Sequence, residues 1–192
     1  MDAQEVLDFW FLPSSSAGHG KPRAEWFRKD DAFDAAIRER FGAAIERAIA
    51  GGLREWDDQG PRGVLARILV LDQFTRNAYR ATPESFAGDP LALSAARQLV
   101  DADAHLALSP LERVFVYMPF EHAEDARMQE QAVALFTELA ASHQGFGEQL
   151  DYAHRHRGVI ARFGRFPHRN PILGRASTPE EQDYLSQPGS GF

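Results

Sequence analysis

Between Tyr152 and Pro179 the chain carries six arginines, at 155, 157, 162, 165, 169 and 175, and three histidines, at 154, 156 and 168, with no aspartate or glutamate. The densest part reads "RFGRFPHRNPILGR", from Arg162 to Arg175. Planar guanidinium groups grip carboxylate or phosphate through two parallel hydrogen bonds, and an imidazole adds a donor that titrates near neutral pH. Pro167 and Pro171 stiffen the loop that presents them, so little entropy is lost on binding. Arg165, His168, Arg169 and Asn170, with Arg162 about one helical turn behind, therefore form a candidate anion site. The same groups serve equally to tie the loop onto Asp72, Glu121, Glu124 or Asp125, and some arginines can be structural while others face a ligand.

Two other polar runs carry chemistry. Asp72-Gln73 and Arg76-Asn77 sit in a stretch too apolar to be a solvated helix face. Asp72 and Arg76, four apart, share a helix face and can pair; a buried pair must be fully satisfied. They read as an internal brace or as one wall of a polar groove. Glu121-His122-Ala123-Glu124-Asp125 follows Pro119 and offers three carboxylates and an imidazole, suited to acid–base work or to oxygen and nitrogen ligation. His122/Asp125 and Asp151/His154 are each three apart. Carboxylate-bridged metal bundles, however, need two Glu-x-x-His pairs and two further glutamates, so no metal and no cofactor is assigned. The plainer role of these acids is to complement a helix N-terminus. His122 and His168 are the candidate bases.

The composition bounds the rest. The chain has 192 residues, 44% of them hydrophobic, with 14 Phe and 3 Trp, which fits one globular domain over 1–192. Cysteine is absent, which removes disulfides, thiol nucleophiles and thiolate zinc sites. The formal charge of −7 divides into a +6 segment from Tyr152 to Pro179 and a body with 15 basic against 28 acidic residues. An acidic body argues against nucleic acid as a partner; the local positive field suits a small anion or an acidic peptide end. Residues 1–12 contain Asp2, Glu5 and Asp8 and no basic start, unlike a signal peptide. No apolar run reaches the roughly 18 residues of a membrane span, so a cytoplasmic location is expected. "GHGKPR" from Gly18 lacks the spacing of a phosphate-binding loop, and the terminal "GSG" lacks the context of a nucleophile elbow.

The elements that must position these groups read as helices throughout. Val6, Leu7, Trp10 and Phe11 share one side of a helix over 3–12, ended by Pro13. Phe33, Ile37, Phe41, Ala44 and Ala48 form the stripe of a second helix over 31–50, closed by Gly51-Gly52. Pro61 opens a third, whose run "VLARILVLDQF" is apolar nearly all round and so central. Asp89-Pro90 reads as an N-cap and first-turn proline, and Ser109-Pro110-Leu111-Glu112 as a capping box. Pro119 is expected to kink or end that helix, with a connector before the next, from about 124 to 142. A helix ending near Gly164 and a last short one after the Thr178–Glu181 capping box complete an all-α fold of seven to nine helices. Short connections favour a bundle or a helical-hairpin superhelix, although no 34-residue repeat is visible.

"LDQFTRNAYR" from Leu71, "YMPFEHAEDARMQ" from Tyr117 and "FGRFPHRNPILGR" from Phe163, with "VLDFWF" and "EWFRKDDAFD", resemble the bacterial family known as domain of unknown function 924. The likeness runs from Val6 to Leu185. It implies a single-domain α/α superhelix similar to tetratricopeptide proteins, and no established reaction. Two motif positions depart from the usual wording of the family: Thr75 stands where proline is common, and Ala123 where serine is common. A mechanism resting on a hydroxyl at 123 is thereby excluded. The residues favour a binding protein whose polar cleft, lined by Asp72, Arg76, His122, Arg165, His168, Arg169 and Asn170, takes a carboxylate, phosphate or peptide end. A small hydrolase or transferase using His122 or His168, and a structural interaction module without a ligand, are the alternatives.

Overall fold

The computed structural model describes residues 1–191. Among them are nine α-helices and no strand: α1 (Ala3–Phe11), α2 (Asp31–Ile49), α3 (Pro61–Ile68), α4 (Thr75–Ala78), α5 (Asp89–Asp101), α6 (Pro110–Glu121), α7 (Ala126–Ser142), α8 (Gly147–Phe163) and α9 (Pro179–Leu185). None of these is long and apolar enough to cross a membrane. The chain groups into two compact units, Met1–Arg80 with Glu84–Pro119, and Ala81–Pro83 with the described residues from Phe120 onward.

In the first unit α1 starts at a capping box, with Asp2 accepting from the Glu5 N–H and Glu5 accepting from the Asp2 N–H. Its buried side carries Trp10 and Phe11 into an aromatic core. Trp10 stacks on Trp26 at 5.8 Å between centroids and meets Phe115 edge-on at 5.5 Å, and Phe74 lies 5.6 Å away. Asp30 caps α2 through the N–H groups of Ala32 and Phe33. The expected α2 stripe is buried at Ile37, Phe41, Ala44 and Ala48, while Phe33 is half-buried against Phe9.

α3 and α4 are joined by a π-helical turn, Leu69–Phe74, so that one helical segment runs from Pro61 to Ala78. Every residue from Gly63 to Thr75 is buried, as the all-round apolar pattern requires. The wider turn was not expected. It weakens the ordinary i→i−4 pairing of its carbonyls, and the Thr75 hydroxyl takes up Leu71 O at 2.8 Å.

Two helix ends differ from the sequence reading. The α5 N-cap is Gly88, not Asp89, and no side chain caps it. Asp89 is the first helical residue, and its carboxylate accepts from Arg76 Nη1 at 2.9 Å and Nη2 at 3.0 Å. Two parallel bonds from a full positive charge outweigh what the carboxylate would gain from backbone N–H groups as a cap, so the guanidinium wins it. Pro119 lies inside α6, which continues to Glu121. The helix end is set instead by the buried Gln129, whose Nε2 donates to Glu121 O at 2.6 Å and Ala123 O at 2.8 Å. Those carbonyls would otherwise be orphaned, and the connector shrinks to 122–125.

In the second unit α7 packs most extensively on α8. Asp125 caps α7 through the N–H groups of Arg127 and Met128. α8 ends at Gly164, whose φ of +70° is the left-handed C-cap that a glycine adopts without strain. Val159, Ile160 and Phe166 form its core, with Phe163 and Tyr184 packed against them. The capping boxes expected at Ser109 and Thr178 are both present.

Candidate functional site

In the first unit Asp72 lies in the π turn and is fully buried, with Gln73 Nε2 donating to Oδ2 at 2.5 Å. The expected Asp72–Arg76 pair exists at 3.8 Å. It is secondary, because Arg76 spends its hydrogen bonds on Asp89 and on Ser85 O at 2.7 Å. Burial works against the Arg76 charge, yet Asp89 and then Asp72 outweigh it and hold the pKa above the ordinary arginine value. Asp72–Arg76 is thus part of a brace that joins the π turn to the start of α5.

In the second unit the basic segment is pinned by carboxylates. Arg165 sends two parallel bonds to Glu181, at 2.7 Å and 2.8 Å, and one to Ala176 O at 2.9 Å. Arg162 reaches Glu180 at 2.9 Å. Arg175 clasps Glu124 at 2.6 Å and 2.9 Å, and also donates to Asn170 Oδ1 and to Phe166 O. Asn170 is fully buried and gives its amide to Glu181 and Ser177. Of the four acids expected to receive the arginines, Glu124 does so. Glu121 takes His156 instead, Asp125 is spent on capping α7, and the major partners are Glu180 and Glu181 of α9. Those two are the first acids after the basic run in sequence, which was the available signal.

The Arg165 hydrogen bonds, helped by the Thr178 N–H, hold the Glu181 carboxyl down at about 2, from an ordinary 4.5. At Glu124 burial pushes upward, but the Arg175 and Phe166 hydrogen bonds prevail and the pKa falls. A carboxylate whose folded pKa is depressed contributes stability that is complete above its unfolded pKa and lost as pH falls through the folded one. The hold on α9 is therefore expected to weaken between pH 4.5 and about 2. Wild type and Glu181→Gln compared by thermal melts across that window should show a steeper loss in wild type; parallel curves would contradict the assignment.

Of the remaining predicted residues, His168 and Arg169 lie against one ring, and His122 joins them through Arg169 and His156. Phe166 is fully buried, and the Arg169 guanidinium lies over it at 4.6 Å. His168 is 5.6 Å from its centroid and His156 meets it edge-on at 5.5 Å. Arg169 donates to His122 O at 3.0 Å, and the His122 ring lies 6.3 Å from that of His156. His156 Nδ1 is 2.6 Å from Glu121 Oε1 and 2.9 Å from Tyr152 O, with Glu121 and His156 both buried. Such a pair fixes the tautomer and direction of the imidazole. Sequence reasoning missed this pair. Its signal was a histidine on the buried Ala153-His156-Val159-Ile160 stripe of α8. Among the described residues no group of three or more His, Asp and Glu is set to hold a metal ion.

An all-helical protein with a buried polar cluster of histidine, arginine and glutamate is thus defined. Residues 6–189 match the model of the family described as bacterial protein of unknown function, DUF924. The chain belongs to that family. A solved structure, a protein of unknown function, ATU0120, from Agrobacterium tumefaciens, is similar at 40% identity over 96% of each chain, with a TM-score of 0.83. No curated protein matches the chain.

Proposed function

We propose that the cluster around Phe166 binds a small anion, a carboxylate or a phosphate, in a protein that works in the cytoplasm. The observation that carries this reading is the composition of the cluster: His156, His168 and Arg169 assembled about a single ring, with His122 beside His156 and Glu121 as the carboxylate paired to His156. Such a group concentrates donors in a low-dielectric setting, where an anion gains most from them. Arg165 and Asn170 have another task, since Glu181 already occupies them.

A thermal-shift titration with inorganic phosphate, acetate and citrate tests the reading. The wild-type melting temperature should rise with at least one of them. Arg169→Lys removes the planar fork while keeping the charge, and should weaken the response about tenfold; Arg165→Lys should leave it in place. If no anion shifts the wild type, or Arg169→Lys responds as wild type does, the site is not an anion site. The Glu121–His156 pair supports a second reading, a small hydrolase or transferase in which an oriented imidazole moves a proton. That reading requires turnover of an ester or phosphomonoester that Glu121→Gln lowers without equal loss of binding.

A further inference from the structure

The seven-residue α9 is held to the second unit mainly by polar contacts. Glu181 is its buried residue, and Tyr184 adds one ring contact, 5.1 Å from Phe163. A helix of this length has no stability of its own in water, so its place depends on what grips it. The grip is on two carboxylates, the exposed Glu180, which takes Arg162 at 2.9 Å, and the buried Glu181, which takes the remaining bonds. Arg165 supplies two parallel bonds and Asn170 a third at 3.3 Å, beside the Thr178 N–H of the capping box.

We propose that Arg165 and Asn170 form a carboxylate-binding cradle and that α9 is its tethered, exchangeable occupant, an autoinhibitory contact that an external carboxylate displaces. Access, cost and anchorage support this. The Arg165 side chain is 29% exposed, which gives an external carboxylate a point of approach on its outer edge, while Asn170 and Glu181 are buried. Little apolar area holds α9 down, so its release lies at the low end of local opening energies. The irregular residues 176 to 178, between the anchored Arg175 and α9, form the tether on which the arm swings. Release of α9 leaves the loop in place, because Arg175 and the Phe166 N–H hold Glu124 independently. A short tether presents Glu181 at an effective concentration in the millimolar range, which sets the scale for an external competitor. The cradle and the histidine cluster are different residues, so either assignment stands without the other.

The full chain is tested by amide exchange and melting, with sodium acetate against sodium chloride at equal ionic strength. In wild type, millimolar acetate should speed exchange at Tyr184 and Leu185 about tenfold and leave α8 unchanged. In Glu181→Ala the vacant cradle should take acetate, raising the melting temperature saturably; Arg165→Ala/Glu181→Ala should lose that rescue. Should Glu181→Ala not fold, Glu181→Gln replaces it. A short peptide with a free C-terminus, compared with its amide, separates peptide ends from small carboxylates: acid-form displacement at lower concentration than acetate assigns the cradle to peptide ends. Unchanged wild-type exchange, or equal rescue with and without Arg165, overturns the proposal and leaves Glu181 as a fixed structural pair.

Discussion

Gly88→Ala should lower the melting temperature by about 10 °C, a loss of about 3 to 5 kcal/mol. At φ −85° the position poses no conformational problem for alanine; the obstacle is space. A Cβ there would fall 2.1 Å from Leu71 O, 2.8 Å from Leu71 C and 2.9 Å from Leu71 Cα. These are backbone atoms of the buried π turn and cannot rotate aside as a side chain does. The start of α5 must retreat from the turn. The Asp89 bonds to Arg76, at 2.9 Å and 3.0 Å, then stretch, and a half-buried guanidinium loses its main partner. Gly42→Ala is the control. It lies inside α2, where a Cβ meets nothing within 4 Å, and should stabilise by up to about 1 kcal/mol. Thermal melts of the two variants decide it. Gly88→Ala melting with wild type would mean that the backbone contact between α5 and the π turn carries no weight.

The same contact shows why part of the fold was legible and part was not. The capping boxes at Ser109 and Thr178 were readable because cap and partner lie three residues apart. Asp89 carried an equally local signal and lost it to Arg76, thirteen residues away, because an ion pair outweighs a cap. Pro119 suggested a helix end, and the real end is fixed by Gln129, eight residues beyond Glu121. The π turn left no trace in the hydrophobic pattern, since a single widened turn inside an all-round apolar segment changes no period. At the site, charge asymmetry located the basic strap. Which carboxylate took each arginine was undetermined, since the acids are chemically alike and only folding ranks their distances. His156 was hidden for another reason: a histidine on an apolar stripe is usually a satisfied core residue, and its partner Glu121 lies thirty-five residues earlier.

Phe166→Ala should cost about 3 to 5 kcal/mol, comparable to Gly88→Ala, and should also scatter the candidate site. The ring is fully buried against Val159 and Ile160, so its removal leaves a cavity that neighbours fill only in part. The main chain at 166 is pinned separately: its N–H donates to Glu124 at 2.7 Å and its carbonyl accepts from Arg175 at 3.1 Å. The strap should therefore stay attached while the surface on which His156, His168 and Arg169 rest disappears. Phe166→Leu separates the two effects. Leucine restores most of the buried volume and should cost only about 1.5 kcal/mol, yet it has no ring face for the Arg169 guanidinium and no ring current. In proton spectra, the imidazole signals of His156 and His168 should move toward unperturbed positions in both variants. The anion-induced melting shift should fall in both, although only the alanine variant is strongly destabilised. If Phe166→Leu keeps the wild-type imidazole shifts and anion response, the aromatic ring is packing alone, and the organising role belongs to the Glu121–His156 pair.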